Sequence, residues 1–165
     1  MNTPEIMRRL KQYAANRGLV LVEQLRGGTD GEVWSTNVST VLKSFDLWKT
    51  YDNEVSCYQR LEERGMKKIL GFSIPTLEGY DDDLMVIEMS TVKPPYVLDF
   101  GKAYLDRAHG FSSSVIADWT AQQEERWGEK WPLIRSILGK LQSVGIYHMD
   151  PKPGNILPKD WNPAD

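Results

Sequence analysis

The sequence predicts an α+β fold: a five-stranded antiparallel sheet with one inserted helix, followed by a reduced helical region. Three features of the 165 residues carry that prediction. Short β-prone runs broken by Gly, Asn and Ser fill residues 19–45, paired prolines at Pro94-Pro95 interrupt the pattern, and apolar residues then recur at helical spacing up to Val144. With 41% hydrophobic and 26% charged residues, a chain of this length buries one sizeable core with room for a second small one. One globular unit with two lobes is expected, residues 1–90 and 91–165.

Thr3 can cap a first helix that has Pro4 and Glu5 in its opening turn, Ile6, Met7, Leu10, Tyr13 and Ala14 on one face, and Gly18 at its end. Residues 19–25, 32–36 and 40–45 then read as three successive antiparallel strands, joined by a glycine-rich turn and by Asn37-Val38-Ser39. A helix fits residues 50–64, with Val55, Tyr58 and Leu61 on one face and Gly65 placed to stop it. Two more strands are expected at residues 72–74 and 84–89, with the acidic stretch 79–83 as the turn between them. Thr91-Val92-Lys93-Pro94-Pro95 cannot continue a central strand and marks the lobe boundary. Beyond it, residues 112–114 can cap a helix reaching Trp127. A second helix begins near Pro132, with Leu133, Ile134, Ile137, Leu138, Leu141 and Val144 at three-to-four spacing and Gly145 as its stop.

Charge and composition remove several function classes. Twenty basic against 23 acidic residues leave a net charge of −3 and no broad cationic surface for nucleic acid or anionic lipid. The single Cys57 excludes an internal disulfide framework, and His109 and His148 stand apart without a cysteine cluster, which argues against structural zinc. The first residues lack the apolar core of a signal peptide and no run reaches the ~18 apolar residues of a membrane span, so the expected location is cytoplasmic.

The strongest chemical signal is Tyr147-His148-Met149-Asp150-Pro151-Lys152-Pro153-Gly154-Asn155-Ile156-Leu157. Phosphoryl transfer asks for an acid, a lysine and an amide at this spacing. Asp150 can accept a hydroxyl proton, Lys152 can reach a transferring phosphoryl group, and Asn155 can hold a magnesium ion. His148 reads as a packed residue bracing the loop backbone. Earlier, Arg26-Gly27-Gly28-Thr29-Asp30-Gly31-Glu32-Val33 can bring Gly28 and Gly31 close to nucleotide phosphates, although Gly-Gly and Asp-Gly are equally ordinary hairpin turns. Lys43, in Val41-Leu42-Lys43-Ser44-Phe45, either faces inward with an anion to pair with or faces solvent on an edge strand. Glu54 either reaches that lysine or is a solvated helix charge. Asp81 to Asp83 reads as a solvated turn, and Cys57 as an ordinary helix-face side chain.

The order of these features, glycine turn, strand Lys, helix Glu, apolar connector, helical pair and a loop with Asp, Lys and Asn, resembles the protein-kinase-like superfamily. The likeness runs from about residue 19 to residue 157 and is to its atypical bacterial and small-molecule kinases, in a minimal form with a truncated C-terminal lobe. It implies a protein-kinase-like fold, ATP and Mg2+ as cofactors, and transfer of the γ-phosphate to a hydroxyl acceptor, either a protein Ser/Thr or a small molecule. By the same resemblance Gly28, Gly31 and Val33 lie over the phosphates, and Lys43 forms an ion pair with Glu54. Glu88, Met89 and Ser90 form the hinge that holds adenine, Asp150 is the base, Lys152 meets the γ-phosphate and Asn155 binds magnesium. The chain departs from the pattern in three places. Arg26 occupies the first glycine position, and Met149 replaces the Arg that pairs with a phosphorylated activation loop in many kinases. No Asp-Phe-Gly follows Asn155, which leaves Asp165, or Asp160, for the second metal contact. That gap supports an alternative, a pseudokinase that binds nucleotide or a partner protein without catalysis. The apolar stretch 92–100 is expected to offer a docking surface.

Overall fold

Two amphipathic helices, one at the start of the chain and one inserted after its third strand, pack on opposite faces of one sheet. The computed structural model describes residues 3–28, 31–107 and 110–157, with side chains for all of these except 3 and 26–28. Helix α1 (Thr3–Arg17) leads into strands β1 (Leu21–Gly28), β2 (Gly31–Thr36) and β3 (Thr40–Ser44), then helix α2 (Trp48–Glu63). A small hairpin, β4 (Lys68–Ile69) and β5 (Phe72–Ser73), precedes β6 (Leu77–Asp81) and β7 (Val86–Ser90). Next come β8 (Ala103–Leu105), α3 (Ser113–Trp127), a short 3₁₀ turn (Gly128–Lys130), α4 (Trp131–Gln142) and β9 (Ile146–His148).

The main sheet is antiparallel, five-stranded and ordered β1-β2-β3-β7-β6. Its fifth strand is not the expected one. Residues 72–73 belong to the separate β4-β5 hairpin, and the acidic stretch assigned to a turn supplies β6 instead. β6 is an edge strand, so one side of its ladder and one face need no apolar partner, and Gly79 and Asp81 are tolerated there. The turn proper is residues 82–85, held by Leu84 N–H donating to Asp81 at 2.9 Å.

Alternation sorts the side chains of the sheet. In β3 and β7, Lys43 lies opposite Ile87 and Val41 opposite Met89 on the inner face, while Leu42 lies opposite Glu88 on the other. The outer face is covered by α1, whose Ile6, Leu10, Tyr13 and Ala14 pack on Leu42 and Val86. The inner face meets α2 through Tyr51, Val55, Tyr58 and Leu61, the stripe its spacing predicts. Ser112 caps α3 by accepting a hydrogen bond from Val115 N–H at 3.4 Å. In α4, Ile134, Ile137 and Leu141 are fully buried.

The inner core is continuous across residue 90. Tyr58 of α2, Phe100, Ile134 of α4 and Ile156 belong to one cluster. Two long-range pairings build its far end: β8 with β9, and Val97 with Ile156. In the stretch 92–100, Val97 and Phe100 are 0% exposed and belong to the core, while Val92, Tyr96 and Leu98 are half-buried. No described helix is long and apolar enough to cross a membrane.

Candidate functional site

Lys43 faces inward. Its Nζ donates to Glu54 Oε2 at 2.5 Å and to Asp99 Oδ1 at 3.1 Å, and sits 4.8 Å from the centroid of the Phe45 ring. β3 brings the lysine to the inner face, and α2 lays Glu54 against it on the same stripe as Val55 and Tyr58. Burial alone would lower the pKa of the ammonium, but the two carboxylates outweigh it and the net direction is up. Burial likewise pushes Asp99 up, and Lys43, then His148 and Lys152, pull it below the ordinary carboxylate range. Both groups are therefore charged at neutral pH.

Asp99 was not among the residues expected here. It opens Asp99-Phe100-Gly101, the tripeptide that does not follow Asn155 but stands upstream of it in the chain. Backbone pairing explains how an upstream segment reaches the downstream loop. Leu98 N–H donates to Asn155 O at 2.7 Å, Leu157 N–H donates to Tyr96 O at 3.2 Å, and Val97 bridges Ile156 in antiparallel sense. Asp99 itself is left-handed, at φ 65°, a conformation Asp adopts more readily than most residues. Phe100 anchors the turn between the Tyr58 ring at 5.2 Å and the His148 ring at 5.4 Å. Gly101 lets α2 approach: a Cβ there would run into Thr50 and sit against the Glu54 carboxylate, and Asn53 Nδ2 donates to Gly101 O at 3.0 Å.

The loop after β9 is fixed from within. His148 is 4% exposed and bridges two segments, with Nε2 3.2 Å from Leu98 O and Nδ1 accepting from Asp150 N–H at 3.2 Å. Since a backbone N–H can only donate, Nδ1 must be the acceptor and the proton resides on Nε2, donated to Leu98. Burial pushes the His148 pKa down, in keeping with this neutral tautomer. Lys152 Nζ donates to Asp150 Oδ2 at 2.8 Å, and Lys102 Nζ lies 3.6 Å from the same oxygen. Asn155 is fully buried, and its Nδ2 donates to Asp150 O at 3.1 Å and approaches Oδ2 at 3.4 Å. Trp127 Nε1 donates to Pro151 O at 2.7 Å, tying the loop to the end of α3.

Of the residues singled out in the sequence, Lys43 and Glu54 meet directly, and Asp150, Lys152 and Asn155 meet one another. Asp99 links the two groups. Val33 pairs with Lys43 across β2 and β3 and shares its face, and Met89 is on that face as well. Gly28 pairs with Gly31 at the end of the β1-β2 hairpin; Thr29 and Asp30 lie outside the described residues. Gly31 has a local reason to be glycine: at φ 136° a Cβ would collide with the Ser44 carbonyl. Glu88 is turned away from this site. Its carboxylate lies on the α1 face and accepts from Arg17 Nε at 3.2 Å, Tyr13 OH at 3.3 Å and Thr40 OH at 3.1 Å. Ser90 N–H and the following Thr91 N–H are already donated to Thr76 O and Ser39 O. Asp160 and Asp165 lie outside the described residues.

No protein-family model matches this chain, and no curated protein is similar to it.

Proposed function

We propose that the protein is an ATP- and magnesium-dependent phosphotransferase of protein-kinase-like fold that acts on a hydroxyl acceptor. One observation carries this reading. Lys43, early in the sheet, contacts both Glu54 and Asp99, and the Asp99 segment is hydrogen-bonded to the loop that holds Asp150, Lys152 and Asn155. Residues from four parts of the chain thus come together with the kinds of charge that binding and transferring a phosphoryl group require.

The donor set suits magnesium held between protein and nucleotide phosphates. It offers Asp99 as one anionic carboxylate and Asn155 as one amide, both hard oxygen donors. Among the described residues no group of three or more His, Cys, Asp or Glu side chains forms a metal cage, so the remaining ligands would come from water and phosphate. Asp99 therefore takes the role first given to Asp165. The nucleotide supplies the transferable phosphoryl group, and the ion neutralises charge on it. Lys43, oriented by Glu54, provides a fixed positive charge for phosphate oxygens, and Lys152 a mobile one beside Asp150. Asp150 orients the acceptor hydroxyl and takes its proton, a contribution typically of ~10²- to 10⁴-fold in rate. Val33 and Met89 offer apolar contact for a base; the Glu88 carboxylate and the Ser90 N–H are engaged elsewhere.

A second reading, nucleotide binding or partner binding without transfer, draws on the same ion triad. Lys43 is paired with both Glu54 and Asp99, so its charge is balanced by side chains of the protein itself. Calorimetric titration of ATP with and without magnesium separates the two. The transferase reading expects metal-dependent binding, at least about tenfold weaker in Asp99→Asn, and acceptor phosphorylation reduced ~10²-fold or more in Asp150→Asn. Binding indifferent to magnesium and to Asp99→Asn would leave only the binding module.

A further inference from the structure

A cavity of about 690 Å³ opens beside Asp150, walled by the start of α2, residues 101–107 and the start of α3. Asp150 and Met149 form part of its wall, whereas Lys43, Glu54, Asp99 and Asn155 do not. The cavity therefore shares with the phosphoryl site only the group assigned to the acceptor's proton. Its volume is in the ~300–1,000 Å³ range of small-molecule sites. Its lining is of two kinds. Tyr104, Phe111 and Trp119 provide flat apolar surface, with Tyr104 edge-on to Phe111 at 6.4 Å and Trp119 edge-on to Trp131 at 6.2 Å. Lys49, Lys102 and Arg107 provide positive charge against Asp52 and Asp150. Lys102 is already directed to Asp150, as is Lys152 from outside the cavity. Among the described residues neither Lys49 nor Arg107 is held in an ion pair, and both are exposed.

We propose that this cavity is the acceptor site and that its occupant is a small anionic alcohol. The hydroxyl lies at Asp150, the apolar body against Tyr104 and Trp119, and the anionic group toward Lys49 and Arg107. The proposal rests on the phosphotransferase reading and narrows its acceptor from any hydroxyl to one chemical class. In the step itself, the acceptor oxygen bonds to the γ-phosphorus of ATP as the bond from that phosphorus to the β–γ bridging oxygen breaks. The hydroxyl proton passes to the Asp150 carboxylate, and ADP leaves with the bonding electron pair. The volume and the mixed aromatic and basic lining suit a small anionic alcohol, and an extended acidic peptide is the competing occupant.

The test titrates the full chain with 4-(hydroxymethyl)benzoate and with its neutral amide, in parallel with ATP and magnesium. The acid is expected to bind at least about tenfold more tightly than the amide, the order expected of a charge-assisted contact. Lys49→Ala and Arg107→Ala should each weaken the acid by roughly three- to tenfold, with Arg107→Lys restoring most of the loss, as a point charge retained at an exposed site would. Phosphorus NMR should show the phosphate ester of the acid appearing with ADP. Equal affinity for acid and amide overturns the proposal. So does normal ATP binding with no binding of the acid, or a serine peptide with acidic flanks that binds more tightly than the acid and is phosphorylated instead. Selective acid binding by a chain that does not bind ATP would uphold the anion-binding cavity and remove the nucleotide reading, so the two failures are told apart in one set of titrations.

Discussion

Lys43 and Glu54 form a deeply buried ion pair, with side chains 8% and 1% exposed. With Glu54 1% exposed and Asp99 beside it, truncating the lysine leaves two carboxylates buried without their cation. Lys43→Ala is expected to lose about 3–5 kcal/mol in denaturant unfolding, the penalty of breaking a buried pair from one side. The double change Lys43→Met with Glu54→Leu should recover much of that stability, because it removes charge from both partners, and should still fail to bind ATP. Recovery of ATP binding in the double variant would contradict the role given to the lysine. His148 sets a different dependence. Its folded pKa lies below the ordinary imidazole value, so between the two values the unfolded chain binds a proton that the folded chain does not. The neutral histidine's contribution to stability is complete above about pH 6.5 and is lost as pH falls toward the folded pKa. Asp99, Asp150 and Lys152 are the charged side chains that face it. Thermal unfolding of the wild type should therefore show a downward step in melting temperature below about pH 6.5, and His148→Gln should flatten it. The residues of this site were unequally legible in the sequence. Asp150, Lys152 and Asn155 lie within six residues of one another and declare themselves by spacing. Asp99 is hidden by chain order: its tripeptide precedes Asn155 instead of following it, and strand pairing brings two segments together whichever comes first in the chain.

At the scale of elements, α1 is a support for the sheet and not part of the site. Leu10 is fully buried between α1 and the outer face of the sheet, while Lys43 and its partners occupy the inner face. Leu10→Ala is expected to lose roughly 2–5 kcal/mol of stability by leaving a cavity, with ATP affinity unchanged at temperatures where the variant is folded. A large loss of affinity in the folded variant would mean that α1 positions the site through the sheet. Helical periodicity made α1, α2 and α4 readable, since each buries a stripe at three-to-four spacing, whereas α3 is marked by its serine cap and the first three strands by β-prone runs between turn residues. The elements missed are short or polar. β4, β8 and β9 have two or three residues, too few to show a period, β5 is found as a strand but not in its own small hairpin, and β6 escapes because an edge strand can remain polar.

At the scale of the whole molecule, two segments about fifty residues apart form a single structural unit. Amides that join them, Leu98 to Asn155, Leu157 to Tyr96 and Asp106 to Gly145, are expected to exchange hydrogen with one common free energy, because opening any of them requires separating residues 96–106 from 145–157. Three distinct exchange energies would show that the unit is only a set of independent contacts. The same arrangement orders events on the ribosome. Lys43, Glu54 and Asp99 are all translated before the loop bearing Asp150, by about fifty residues, or roughly 3–10 s of elongation. The charge triad can therefore be neutralised in the nascent chain while its downstream partner is still being made, and the last segment to emerge docks onto an edge already prepared for it.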